Sequence, residues 1–329
     1  MPTMSVKSLL FFSCLIAGVF LAVSSESWFG VWCGLELNLM SFIPFISSKN
    51  NRYLSEASLK YFLIQALGST IIILGSMLFL LNYNFLILMS TALLLKLGVA
   101  PFHFWFPQVM EGLTWPQSLI LMTLQKISPL YLLMYTLSNW GPLLMMMSAA
   151  LSAMAGAIGG MNQTLLRKLL AFSSINHMSW MMFSMLISET LWFIYFMFYA
   201  LISGSVVMLF YTQNCFYLSQ LMFFNKPMTS LMSFLSLLSL GGLPPFSGFI
   251  PKWIIIQEMI KHSLMLPFII LLGSSLLTLY YYLRVSIMFI TVSAPSMKWN
   301  VKSSHTNSTP LTTLLNFLGV LTPSLFFLT

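Results

Sequence analysis

Residues 98–107 read GVAPFHFWFP, and residues 242–251 read GLPPFSGFIP. The two stretches share glycine, proline, phenylalanine, an aromatic ring and a further proline in register, and each interrupts a long apolar run. Proline removes a backbone donor and glycine tolerates left-handed backbone, so both stretches should break the helices that contain them. In a lipid core such a break is tolerated only where protein or a wet cavity meets the freed backbone groups. Discontinuous helices meeting near the midplane, repeated within one chain, are the architecture of ion-coupled transporters.

The rest of the sequence agrees with a membrane setting. Of 329 residues, 58% are hydrophobic and 6% charged, aspartate is absent, and mean hydropathy is +0.90. Soluble domains carry roughly a quarter charged residues. This chain is instead a polytopic membrane protein that meets membrane lipids over much of its surface. Its net charge of +8 then raises the question of which membrane face holds the cations, and it is no signal for nucleic acid. Cys14, Cys33 and Cys215 are scattered without a C-x-x-C pair and read as apolar filler, with no metal site to suggest. No G-x-G-x-x-G or P-loop pattern occurs; GAIGG (residues 156–160) lies in an apolar run and reads as close helix packing. Lys7 before an apolar run could pass for a signal peptide, but the run has spanning length and more spans follow.

A spanning helix needs about 20 apolar residues. The sequence places eleven, near 8–25, 27–46, 60–81, 84–106, 117–137, 142–161, 169–187, 190–211, 229–256, 266–290 and 310–328. The expected fold is thus all-α, a single transmembrane domain over 1–329 with broken fourth and ninth helices. The breaks lie five spans apart, and an odd number of spans inverts one copy against the other. Residues 8–137 form the first five-helix repeat, 142–290 the second, and 310–328 a C-terminal helix. Loop cations test the count. Eleven spans put Lys7, Lys49, Arg52, Arg167, Lys168, Lys226, Lys298 and Lys302 on one face and only Lys261 on the other. The N-terminus therefore belongs on the positive side. No loop is long enough to hold a soluble catalytic domain, so any chemistry lies inside the membrane.

Four ionisable residues are singled out well inside these spans: Glu36, Lys96, Lys126 and Lys252. Each costs about 2.5–3.5 kcal/mol at a helix centre on insertion scales. Such groups must pair, contact water or titrate, and Glu36 can neutralise at most one of the three lysines. Lys60, one turn into its predicted span, reads as a snorkelling surface group, and the same reading stays open for Lys252. Lys126 precedes Ser128 and Pro129, a kink that could hold water. His103, on nearly the same helical face as Lys96, and His177, in apolar surroundings, are candidate relay groups as well as candidate packing groups. The methionines are spread too widely to form a site.

Six segments carry a family resemblance: WCGLELNLMSFIP (residues 32–44), EASLKYFLIQALGS (56–69), KLGVAPFHFWFP (96–107), LQKISP (124–129), NQTLLRKLLAFSSINHMSW (162–180) and LSLGGLPPFSGFIPKW (238–253). In this order they resemble the antiporter-like subunits of respiratory complex I, and among those the subunit 2 family of mitochondrial NADH dehydrogenase (NADH:ubiquinone oxidoreductase). The resemblance implies that Glu36 is the helix-embedded glutamate and Lys96 its partner on the first broken helix. It makes Lys126 the central lysine of a hydrophilic axis, Lys252 the exit-side lysine, and His103 and His177 secondary members. It also implies an inner mitochondrial membrane location with the N-terminus in the matrix, and proton translocation coupled to electron transfer from NADH to ubiquinone. The partners would be other membrane subunits of complex I, including neighbouring antiporter-like ones. No cofactor is expected in this chain; FMN, iron–sulfur clusters and the NADH site would belong to partner subunits, with ubiquinone the substrate of the whole complex.

Two rival readings remain. One is a free-standing cation/proton antiporter, the transporter class related to this fold. The other is a structural membrane subunit whose buried charges only lock helices together.

Overall fold

Serines and a glutamate interrupt the N-terminal apolar run at residues 24–27, and the chain turns there. Helix α1 (Val6–Ser24) ends on this turn and α2 (Trp28–Ile46) starts on it, with the Ser27 hydroxyl accepting the Gly30 N–H at 3.2 Å. The helices cross where side chains are smallest. A Cβ on Gly34 would stand 2.5 Å from the Ala22 nitrogen, and one on Gly18 would stand 2.9 Å from the Asn38 nitrogen. Close backbone approach of this kind supplies the van der Waals contact that holds helices together in lipid.

The computed structural model describes residues 6–47, 51–79, 81–82, 85–137, 141–223 and 227–291. The chain forms two compact units divided between Ser152 and Ala153. After α1 and α2, the first unit contains α3 (Arg52–Phe79), α4 (Leu86–Leu97), α5 (Trp105–Gly112), α6 (Trp115–Met122) and α7 (Leu124–Tyr135); α8 (Gly141–Gly160) runs across the division. The second unit continues with α9 (Leu166–Ile187), α10 (Glu189–Gln213), a 3₁₀ turn (Leu218–Phe223), α11 (Pro227–Gly241), α12 (Phe249–Lys261) and α13 (Met265–Thr291).

Among the described residues the regular structure is helical apart from one isolated bridge between Leu165 and Tyr217. Seven helices there are long and apolar enough to cross a membrane: α1, α2, α3, α6 with α7, α8, α10 and α13. The protein is an all-helical membrane protein. At 22 residues α9 has the length to span, but its serines, Asn176 and His177 make it more polar than these seven. The helix expected near 310–328, part of the interruption at residues 82–84, and the cations Lys49, Lys226, Lys298 and Lys302 lie outside the described residues.

The two repeated stretches end their helices in the same way. Gly98, at φ +69°, closes α4; its N–H donates to the Leu95 carbonyl at 3.1 Å, and the Val99 N–H donates to the Leu94 carbonyl at 3.2 Å. Gly242, at φ +77°, closes α11; its N–H donates to the Ser239 carbonyl at 3.1 Å, and the Leu243 N–H reaches the Leu238 carbonyl at 3.4 Å. Both are Schellman ends built on a left-handed glycine. The chain resumes helix at Trp105 in the first case and at Phe249 in the second.

Three local readings change. The helix predicted over 117–137 is divided at Thr123 (φ −115°, ψ −78°), where neither glycine nor proline stands. Pro129 lies further along, inside α7, and its ring excludes the carbonyl four residues back, that of Gln125, from helical bonding. Helix α3 begins at Arg52 and not near 60, so Lys60 lies well within it and pairs with Glu56 at 2.7 Å. Residues 98–104 are not helical, so helical periodicity does not put His103 on the face of Lys96. The GAIGG run behaves as packing surface: a Cβ on Gly156 would stand 2.7 Å from the Phe172 carbonyl and from the Asn176 nitrogen of α9.

Candidate functional site

In the first unit Lys96 occupies the last turn of α4, next to the carbonyl end that carries the negative pole of the helix dipole. It is only 6% exposed. Its stem lies across Gly68 of α3, where a Cβ would come within 2.8 Å of the Lys96 Cγ. The freed carbonyls at this end find neutral donors. The Trp105 indole N–H donates to the Leu95 carbonyl and the Gln65 amide donates to the Lys96 carbonyl, each at 3.1 Å. Lys126, in the first turn of α7, is also buried, with its ammonium 4.8 Å from the centre of the Phe106 ring.

Lys96 and Lys126 line one small cavity together with Tyr61, Gln65, Trp105 and Gln125. It leaves about 10 Å³ for the centre of a water molecule, close to the minimum that holds one. A hydrogen-bonded chain runs beside it. The Tyr61 hydroxyl donates to Gln125 Oε1 at 3.0 Å, and Gln125 Nε2 donates to Asn38 Oδ1 at 2.9 Å. Asn38 follows Glu36 closely on α2. Glu36 itself is half-buried and acts electrostatically on Lys96. Among the described residues no ion pair within 4.0 Å joins Glu36 to Lys96, so Glu36 stands in range of Lys96 without closing on it.

In the second unit Lys252 is carried by α12 and turns inward. Its ammonium donates to the carbonyl of Gly241, the last residue of α11, at 3.0 Å. At 6% exposure it is buried as deeply as Lys96 and does not snorkel. Lys96 reaches the carbonyl end of its broken helix by sequence position; Lys252 reaches the corresponding end by folding back across the break. The Lys252 ammonium also lies 5.9 Å from the Trp180 ring centre, and Trp180 stacks on Tyr195 at 6.4 Å and 5°.

His177 belongs to this unit. Its Nδ1 stands 2.8 Å from the Tyr195 hydroxyl, and it lines a cavity with Tyr199, Ser239, Gly248 and Pro251 that also leaves about 10 Å³ for a water centre. His103 sits in the first break, half-buried, with its ring 4.2 Å from that of Phe104. The structure thus gathers Lys96, Lys126 and Glu36 in the first unit, and Lys252 with His177 around the second break.

Sequence reasoning passed over Asn38, Tyr61, Gln65, Gln125, Trp180 and Tyr195. A signal for two of them was present: Tyr61 and Gln65 stand one turn apart on one face of α3.

Two helices that end on left-handed glycines, with a buried lysine near each break, define a membrane protein of the antiporter-like class. Residues 25–86 and 81–279 match the transmembrane family described as NADH:quinone oxidoreductase/Mrp antiporter. The chain is 44% identical to NADH-ubiquinone oxidoreductase chain 2 of Anopheles gambiae, with 94% of each chain covered, and 36% identical to that of Locusta migratoria, with 97% of each covered. It belongs to the NADH-ubiquinone oxidoreductase chain 2 family. Its fold is similar to that of a chain in respiratory complex I from Thermus thermophilus (TM-score 0.86, 24% identity, 98% of this chain and 80% of that one). It is also similar to a chain of an archaeal membrane-bound sulfane sulfur reductase (TM-score 0.82, 17% identity, 99% of this chain and 75% of that one).

Proposed function

We propose that this chain translocates protons as a core membrane subunit of NADH:ubiquinone oxidoreductase, respiratory complex I, in the inner mitochondrial membrane with its N-terminus in the matrix. The observation that carries the proposal is the repeated pairing of a Schellman-ended half-helix with a buried lysine. Eleven spans arranged as two inverted five-helix repeats, residues 8–137 and 142–290, belong to the same proposal. So does the placement of FMN, iron–sulfur clusters and NADH in partner subunits, with ubiquinone the substrate of the complex and neighbouring antiporter-like subunits among the contacts.

Glu36 and Lys96 form the switch. When the carboxylate closes on the ammonium, the charged lysine is favoured; when it withdraws, Lys96 can release its proton into the cavity that Lys126 also lines. Within the second unit Lys252 takes and gives protons at the carbonyl end of α11, with His177 as a relay. His103 is a relay group at the first break. The driving free energy comes from redox chemistry in other subunits.

A free-standing antiporter is the competing reading, favoured by a fold likeness to a chain of the Mrp complex from Dietzia (TM-score 0.78, 17% identity). The 44% identity to complex I relatives outweighs it. Native electrophoresis of mild-detergent extracts discriminates between them. The chain should migrate in a very large assembly with NADH-oxidising activity, and liposomes holding this chain alone should show no cation-dependent proton flux. Migration alone together with such flux would overturn the proposal.

A further inference from the structure

In the first unit the glutamine beside Lys126 reaches two other helices at once. Gln125, in the first turn of α7, accepts the Tyr61 hydroxyl of α3 on Oε1 at 3.0 Å and donates from Nε2 to Asn38 Oδ1 of α2 at 2.9 Å. By contrast, Ser69, Ser76 and Ser90 each bond a carbonyl three residues back on their own helix, at 2.8 Å. A glutamine held at both ends of its amide has given up much of its side-chain freedom. That loss is offset only by bonds that join elements together, and here they join three.

The joined helices are those that carry or hold the ionisable groups. Helix α2 carries Glu36, α7 carries Lys126, and α3 bonds the Lys96 carbonyl through Gln65, one turn after Tyr61. Tyr61 is 2% exposed, with its ring 5.0 Å from that of Phe42 and 6.1 Å from that of Trp105, which makes it the fixed end of the bridge. Asn38 is the end that moves with the glutamate. Two positions along a helix correspond to about 200°, so Glu36 and Asn38 lie on nearly opposite sides of α2, and a rotation that carries one forward carries the other back. Before the division at Thr123, α6 is held differently: Gln117 Nε2 donates to the main-chain carbonyl of Phe45, in the last turn of α2, at 2.9 Å. Thus α6 is tied to the end of α2, and α7, beyond Thr123, to its middle.

We propose that Gln125 is a positioning residue that passes movement of the Glu36 helix to Lys126, so that closing or opening of the Glu36–Lys96 pair shifts the Lys126 ammonium in the cavity that both lysines line. This role rests on the proton-translocating reading given above. Gln125 takes no proton itself, since an amide has none to exchange in this range. It acts through the backbone it shares with the next residue, Lys126. The coupling travels through contiguous contacts: Asn38 on the glutamate's own helix, one hydrogen bond, and the residue adjoining the second lysine.

The test is a double-mutant cycle in the assembled complex. Gln125→Met and Asn38→Leu keep the bulk of each side chain and remove the bond between them. Each should slow coupled proton translocation roughly tenfold or more, the scale on which small misplacements act, and lower the number of protons moved per NADH oxidised. A packing defect would reduce the amount of assembled complex and leave that ratio unchanged. Because both variants cut the same link, the double variant should be no slower than the slower single one. Ser41→Ala, which removes a hydroxyl bonded within α2 to the Leu37 carbonyl at 2.7 Å, should behave as wild type; a loss equal to that of Asn38→Leu would overturn the assignment to the bridge. An unchanged ratio in Gln125→Met and Asn38→Leu, with Lys126→Met lowering it in parallel, would overturn the coupling and leave the proposed function standing. Losses that multiply in the double variant would do the same. An unchanged ratio in Lys126→Met would overturn the function on which the coupling depends. Should Gln125→Met fail to assemble, Tyr61→Phe takes its place in the cycle with Asn38→Leu, with the same outcomes.

Discussion

Lys252 combines two roles that can be separated by substitution. Its ammonium caps the Gly241 carbonyl at 3.0 Å, and as a titratable group it is available to protons. Lys252→Gln keeps a donor within reach of the carbonyl but cannot carry the proton. Lys252→Met leaves the carbonyl orphaned, which costs roughly 1–3 kcal/mol. Thermal dissociation of the complex should therefore occur at lower temperature for the methionine variant than for the glutamine variant, while both lose pumping. Equal stability of the two would mean that the Gly241 bond contributes nothing. Lys96, Lys126 and Lys252 were legible in the sequence because a charge in a twenty-residue apolar run is conspicuous. The groups around them were not. Tyrosine and tryptophan count as apolar on a hydropathy scale, and Gln125 and Asn38 take their meaning only from a cross-helix bond at 2.9 Å.

At the scale of elements, glycine and proline announced the breaks at Gly98 and Gly242, and the left-handed residue in each is what the sequence pattern requires. Gly98→Ala should destabilise the protein by roughly 1–2 kcal/mol, since a left-handed alanine is strained. Its Cβ would also press on the Phe106 Cβ at 3.1 Å. Gly273→Ala, where a Cβ meets nothing within 4 Å inside α13, should be neutral or mildly stabilising. Thermal inactivation of the two variants compares them directly. If Gly98→Ala matched Gly273→Ala, the first break would not depend on its glycine. The opening at Thr123 had no such sign: neither glycine nor proline stands there, and Pro129 lies six residues further on, inside α7. Polar α9 was harder to read for a related reason: its serines bond their own helix, as Ser173 does with the Leu170 carbonyl at 2.9 Å, and such back-bonding hides polarity from the lipid.

Across the whole molecule, each unit holds a helix that ends on a left-handed glycine, a buried lysine near that break and a small cavity, lined in the first unit by Lys96 and Lys126 and in the second by His177. A purely structural role would need only satisfied charges. Here the close partners of the Lys252 ammonium are the Gly241 carbonyl and the Trp180 ring, while Glu36 stays in range of Lys96 without closing. The number of protons moved per NADH oxidised, compared between wild type and Lys96→Met in assembled complexes of equal content, is the most direct measure of the central claim. The account predicts a lower ratio and slower coupled turnover for Lys96→Met; an unchanged ratio at normal turnover would contradict it.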